Sequence, residues 1–236
     1  MKKMLLVGTS LLFAATSGFA YAAGEIEKKI EDLPMFKSVN ADIVQSKEIG
    51  DLYQIRGVAN KGQRSTFSGF VTKDFKTITF GKAFDATSGQ ELMLDIDTNP
   101  LKKIAAFKRG KGKKEYFLFT DPECPYCINL EKELVELKPD VTLYVILFPL
   151  DFHQNARSMS YYVLNKKNDT EKAKAMKSII DGSDAYTKAT YTTEQINTFN
   201  TMIDEGMKLA EEYGIQGTPT ILNAVGHKVG HHDLKK

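Results

Sequence analysis

From residue 114 onward the apolar positions of this chain follow a strand–helix–strand rhythm. Glu115 to Thr120 is a short apolar and aromatic run of the kind that forms a buried strand. Cys127, Leu130, Leu134 and Leu137 then recur at intervals of three and four, the spacing of one helix face, until Pro139 stops the pattern. Val141 to Phe148 is continuously apolar and rich in β-branched residues, as expected for a central strand covered on both faces. Strand, helix and strand in that order define a βαβ unit. Two helical segments follow, Asn155 to Asn165 and Thr170 to Ile180. A longer one, Thr193 to Tyr213, carries Ile196, Phe199, Ile203 and Met207 on one face and is closed by Gly214. After Thr218-Pro219 the pattern predicts a strand over Thr220 to Leu222, a turn at Asn223 to Gly226 and a last strand near His227 to Val229.

The first half has a different texture. A helix over Glu25 to Leu33 is stopped by Pro34. Strand-like runs follow at Leu52 to Val58, Thr66 to Thr72 and Thr77 to Phe80, broken by Gly57, Gly62 and the Lys73-Asp74 turn. Residues 23–97 are therefore expected to form a small antiparallel domain. Its core is thin, and so small a unit gains by burying a face or edge against a second copy of itself. Residues 98–114 predict a linker helix, with Leu101, Ile104 and Ala105 at helical spacing and a flexible joint at Gly110 and Gly112. The seven basic residues from Lys102 to Lys114 read as a solvated face without a binding role. A catalytic domain is expected over 115–236.

Residues 1–22 have the form of a secretory signal: Lys2 and Lys3, an apolar run from Met4 to Phe13, and small residues leading to Ala20-Tyr21-Ala22. The apolar run is too short for a spanning helix, so an exported protein is expected. Lys2 and Lys3 account for the whole formal charge of +2, and the rest of the chain is balanced, with no global pull toward nucleic acid.

Composition changes the picture mainly through cysteine. The chain has two, Cys124 and Cys127, spaced C-x-x-C where the first strand of the βαβ unit passes into its helix. A bridge closing so short a loop constrains the unfolded chain little, so a purely structural role is the weaker reading. Disulfide exchange needs one partly ionised thiol and a second nearby to resolve the mixed disulfide. Cys124, at the helix start, lies where free N–H groups and the helix dipole favour a thiolate and is expected to be exposed; Cys127, one turn further in, is expected to be the buried partner. Pro125 suits the first helical turn because no helical hydrogen bond is lost there, and Tyr126 sets a large ring beside the sulfurs. Half of a zinc site, completed by His227, His231 and His232, is the competing reading. Strand–helix placement favours redox chemistry, with no metal and no cofactor beyond the Cys124–Cys127 disulfide itself. Thr218-Pro219, at the start of a strand after a glycine-bearing loop, suits a cis bond facing the active-site helix.

Phe119-Thr120-Asp121-Pro122-Glu123-Cys124-Pro125-Tyr126-Cys127 and Tyr213-Gly214-Ile215-Gln216-Gly217-Thr218-Pro219 together resemble the periplasmic disulfide isomerases of the DsbC/DsbG family. The Pro-Tyr dipeptide is closer to the DsbG form than to the Gly-Tyr of DsbC. This resemblance implies an α/β thioredoxin-like catalytic domain with a helical insertion, preceded by an α+β dimerisation domain and a linker helix. It further implies a periplasmic homodimer acting on misfolded or oxidised secreted proteins and kept reduced by a DsbD-type membrane electron donor. In that scheme Cys124 is the nucleophile, Cys127 resolves, and Thr218 and Pro219, with Pro125 and Tyr126, meet the substrate. DsbC has a second cysteine pair in its helical insertion; this chain has none, so packing must hold that insertion together. Family members usually continue past the position of Gly230 into a final helix, and without one a sheet face is expected to be less covered. Sulfenic-acid reduction, a DsbA-like oxidase, and a dimeric chaperone with secondary redox activity are the alternatives.

Overall fold

The computed structural model describes residues 24–61 and 65–235. The expected signal segment and Gly62 lie outside the described residues. Chain order is α1 (Glu25–Glu31), α2 (Pro34–Ser38), β1 (Ala41–Ile49), β2 (Leu52–Ala59), β3 (Ser65–Thr72), β4 (Ile78–Phe80), α3 (Asn99–Ile104), β5 (Phe107–Gly110), β6 (Lys114–Thr120), α4 (Pro125–Glu133), β7 (Val141–Leu147), α5 (Ala156–Leu164), α6 (Asp169–Ile180), α7 (Thr193–Glu212) and β8 (Thr220–Asn223). Short 3-10 turns occur at Ala185–Lys188 and His231–Asp233.

The first four strands form an antiparallel meander in the order β1-β2-β3-β4. Strand β1 has no counterpart among the predicted elements, because its polar sequence conceals its inward positions, Ala41 and Ile43. Gly57 does not break β2. It pairs with Phe67, and a Cβ there would lie 2.4 Å from the Phe67 ring and 2.8 Å from the Asp42 carbonyl, so the residue lets strands and ring close up. The core beneath this sheet is small: Ile30, Phe36, Ala41, Ile43, Ile55 and Val71, with Phe67 stacked on Phe36 at 5.5 Å.

The second sheet runs β5-β7-β6-β8, with β6 and β7 parallel and both edge strands antiparallel to their neighbours. Alternation along its two central strands builds a core on each face. Leu118, Leu143, Val145 and Leu147 meet α4–α7 on one side. Phe117, Phe119 and Ile146 pack with Leu101, Ala210 and Leu222 on the other. The helices between β7 and β8 are held by packing and by hydrogen bonds: Ile179, Met176 and Ile203 enter the first core, Tyr161, Tyr191 and Phe199 form a ring cluster with centroids 5.8–6.0 Å apart, and Arg157 Nη1 and the Tyr161 hydroxyl both donate to Asn200 Oδ1, at 2.8 and 2.5 Å.

Residues 98–114 depart most from expectation. The helix covers six residues, and 107–110 is strand β5, registered against β7 from Phe107↔Val145 to Gly110↔Thr142. Phe107 is buried, which a solvated linker cannot offer but a strand edge can. Neither glycine is a loose joint. Gly110 has φ +81°, and a Cβ on Gly112 would fall 1.8 Å from the Asp140 carbonyl carbon, so the β5–β6 turn is pressed against backbone. Nor is the basic run simply solvated: Lys102 pairs with Glu115 at 2.5 Å, Lys114 with Asp140 at 2.8 Å and Arg109 with the buried Glu131 at 3.0 Å.

The expected last strand shrinks to one bridge, Leu222↔Lys228, before the turn at His231–Asp233. The two sheets meet near the end of α7, where Arg56 Nη1 donates to the Glu212 carbonyl at 2.6 Å and Thr98 Oγ1 to that of Ala224 at 2.7 Å. Among the described residues no helix is long and apolar enough to cross a membrane.

Candidate redox site

Strand β6 delivers the chain into the site. After Thr120 it turns through Asp121-Pro122-Glu123, closed by the Cys124 N–H donating to the Asp121 carbonyl at 3.2 Å. Cys124 is the N-cap of α4, in extended conformation with φ −68° and ψ 122°, and Pro125 takes the first helical position. The Cys124 carbonyl accepts from Ile128 N–H at 2.9 Å, so the helix begins at this residue, and its first turn contains no acid to oppose a sulfur anion.

Both cysteines are free thiols. Contrary to expectation, Cys124 is not exposed: it is 4% accessible against 1% for Cys127. The cause is the loop before β8. Its Thr218-Pro219 bond is cis, and the Thr218 carbonyl lies 3.8 Å from Cys124 Sγ, ninety-four residues away in sequence. Exposed surface at the site is supplied instead by Pro125 and by Tyr126, at 76%. Cys127 Sγ accepts the Asp121 N–H at 3.4 Å. Burial pushes the Cys127 thiol up to about 11, although the Asp121 N–H and the hydroxyls of Thr218 and Thr120 pull the other way. The structure thus brings Cys124, Pro125, Tyr126, Cys127, Thr218 and Pro219 to one place.

Two site residues escaped the sequence reading. Asp121 is fully buried; its Oδ1 accepts from Glu123 N–H and its Oδ2 from Leu150 N–H, both at 2.7 Å. The same Oδ2 meets Nδ1 of His153 at 2.8 Å. The signal was topological. β6 and β7 are parallel neighbours, so the loops leaving their carboxyl ends meet, and Phe148 to His153 had to face the C-x-x-C turn.

The three C-terminal histidines stand apart from the sulfurs. His227 Nε2 is 3.1 Å from Asp95, His231 Nε2 is 3.0 Å from Glu133, and His232 lies beside Asp233. Among the described residues no cluster of three or more His, Cys, Asp or Glu side chains is placed to hold a metal ion.

A parallel βαβ unit with a dithiol on the first turn of its helix, facing a cis-proline loop, defines the thioredoxin-like class. Residues 102–232, more than half of the chain, match the model of the thioredoxin-like domain family, and the chain belongs to that family. Over 65 residues it is 38% identical to a probable thiol:disulfide interchange protein DsbC of Bordetella avium, a stretch that is 28% of this chain and 21% of that relative. Among solved structures it is similar to a disulfide interchange protein of Neisseria gonorrhoeae, at 24% identity over 52% of this chain and 83% of the other with a TM-score of 0.41. DsbA2 of Pseudomonas aeruginosa is 20% identical over 53% of this chain and 84% of its own, with a TM-score of 0.43.

Proposed function

We propose that this chain is a periplasmic thiol:disulfide interchange protein that isomerises or reduces wrong disulfides in secreted proteins through Cys124 and Cys127. The observation carrying this reading is the pair of free thiols on the first turn of α4, with Thr218 set against Cys124. The Cys124 thiolate attacks a substrate disulfide, the substrate S–S bond breaks, and the leaving sulfur departs with the electron pair as a thiolate. A substrate thiol then releases the enzyme with a rearranged disulfide, or Cys127 attacks Cys124 and releases reduced substrate. Release by Cys127 leaves a Cys124–Cys127 disulfide, which a membrane donor of the DsbD type must reduce. No other cofactor enters the cycle. Turnover of insulin disulfides with dithiothreitol tests this: Cys124→Ser is expected to reduce the rate to that of dithiothreitol alone. Wild-type activity in that variant would sink the reading.

A second reading, reduction of a sulfenic acid on a single oxidised cysteine, is favoured by the recessed Cys124, because that chemistry presents one sulfur rather than a bridge. The homodimer and a chaperone role belong to the same proposal. They are supported by large apolar side chains left exposed on the first domain, Met35 of α2, Phe80 of β4, and Phe84 and Met93 after it. Sedimentation of the full chain at micromolar concentration should give twice the protomer mass, and a single protomer would remove the dimer from the scheme.

A further inference from the structure

We propose that His153 is a positioning residue of the exchange centre, whose protonation acts through Asp121 to set the rate at which Cys127 resolves a mixed disulfide. The inference rests on the disulfide-exchange reading above and concerns its second step.

Asp121 touches everything that matters here. Its N–H donates to Cys127 Sγ at 3.4 Å and its carbonyl accepts from Cys124 N–H at 3.2 Å. Its side chain is anchored by two backbone N–H groups and by the His153 imidazole. The Asp121 carboxylate is fully buried, on the residue that touches the resolving sulfur, where a negative charge meets little water. A second anion at Cys127 is opposed by that charge. Protonated His153 offsets it; neutral His153 does not.

Other ionisable groups on the two loops leave the imidazole to Asp121. The carboxylate of Glu123 is taken by Asn155, whose backbone N–H donates at 2.6 Å and whose side-chain amide donates at 3.1 Å, and Asp151 is exposed. The remaining groups are the thiols of Cys124 and Cys127. Phe152, 75% exposed, lies edge-on to the imidazole at 4.5 Å and covers it, leaving the His153 side chain 16% accessible. A unit charge in so dry a setting acts with little screening.

In the resolving step Cys127, its proton already given to solvent, forms a bond to Cys124 Sγ. The bond from Cys124 to the partner sulfur breaks, and that sulfur leaves with the electron pair. The rate follows the thiolate fraction of Cys127, so for a thiol held near 11 the logarithm of the rate rises with pH at unit slope. Loss of the His153 proton makes the thiolate harder to form. Across that interval the slope should fall below one, with unit slope on either side.

The test uses the wild-type full chain and Ellman's reagent. Attack by Cys124 releases one nitrothiobenzoate, and attack by Cys127 on the resulting mixed disulfide releases the second, read by its absorbance in stopped flow from about pH 5 to 9. A flattened interval in the second phase is expected, and unit slope throughout overturns the proposal without needing any variant. H153Q, which keeps a donor for Asp121, should remove the flattening. It should resolve at least about threefold more slowly than wild type at the acid end, converging with it at the alkaline end. A wild-type to H153Q ratio that does not change with pH would mark a merely structural histidine and also overturns the proposal. Absence of any second release at any pH would instead sink the disulfide-exchange reading itself.

Discussion

Replacing Cys127 by serine is expected to convert a catalyst into a trap. Cys124 keeps its place at the start of α4, so the Cys127→Ser chain should still attack a substrate disulfide. The hydroxyl that remains cannot displace sulfur from sulfur, and the mixed disulfide should persist until an external thiol removes it. A thiol pushed up to about 11 is ionised in only about one molecule in ten thousand at neutral pH, so Cys127 owes its effect to position. Held one helical turn from Cys124, it presents a very high effective concentration to one bond, which a millimolar thiol in solution cannot match. Release should therefore slow by at least about a hundredfold. Non-reducing electrophoresis with scrambled ribonuclease checks this. Covalent complexes are expected with Cys127→Ser and not with Cys124→Ser, and equal trapping by both variants would contradict the assigned roles.

How far the sequence was legible follows from which signals are local. The strands and the start of the helix in the β6–α4–β7 unit could be read almost residue by residue, because the strands are buried on both faces; the helix itself stops at Glu133 rather than at Pro139, and Leu137, expected on its apolar stripe, instead forms a bridge with Lys235. Gly214 was legible as a helix terminator and has the left-handed backbone, φ +67°, that such a position requires. β1 and β5 were not legible, since each is an edge strand with few inward positions amid polar residues, and only its pairing partner identifies it. At the site, the cysteines and the Thr218-Pro219 loop carry recognisable local chemistry. Asp121 and His153 do not: an acid in a turn and a histidine in a loop are ordinary until two parallel strands bring their ends together. The recess of Cys124 was illegible for the same reason, because what covers it arrives from the far end of the chain.

Arg109 illustrates the largest consequence of a misread segment, and its replacement by alanine should destabilise the protein by about 3–5 kcal/mol at neutral pH. The residue projects from β5 to Glu131 of the active-site helix, with Nη2 3.0 Å from the carboxylate, while Nη1 donates to the Leu134 carbonyl at 3.4 Å. The Glu131 side chain is 5% accessible, so its charge has almost no water to compensate it. Burial pushes its carboxyl above the ordinary glutamate range, and the Arg109 guanidinium opposes this without cancelling it. The sign of the pH dependence follows from that direction. A carboxyl whose folded value is raised holds its proton more tightly in the folded chain, so its contribution to stability is present at low pH and is lost as pH rises through the folded value. Without Arg109 the rise is larger, and more stability is lost by neutrality. Urea denaturation should accordingly show a large deficit for Arg109→Ala at pH 7 that shrinks toward pH 4.5, which lies below the raised value of the Glu131 carboxyl. Replacing both partners, as in Arg109→Met with Glu131→Leu, should recover most of the deficit, since an apolar pair leaves no buried charge behind. A deficit of Arg109→Ala that is the same at both pH values would mean that lost packing of the arginine stem, rather than the stranded carboxylate under α4, is what the substitution costs.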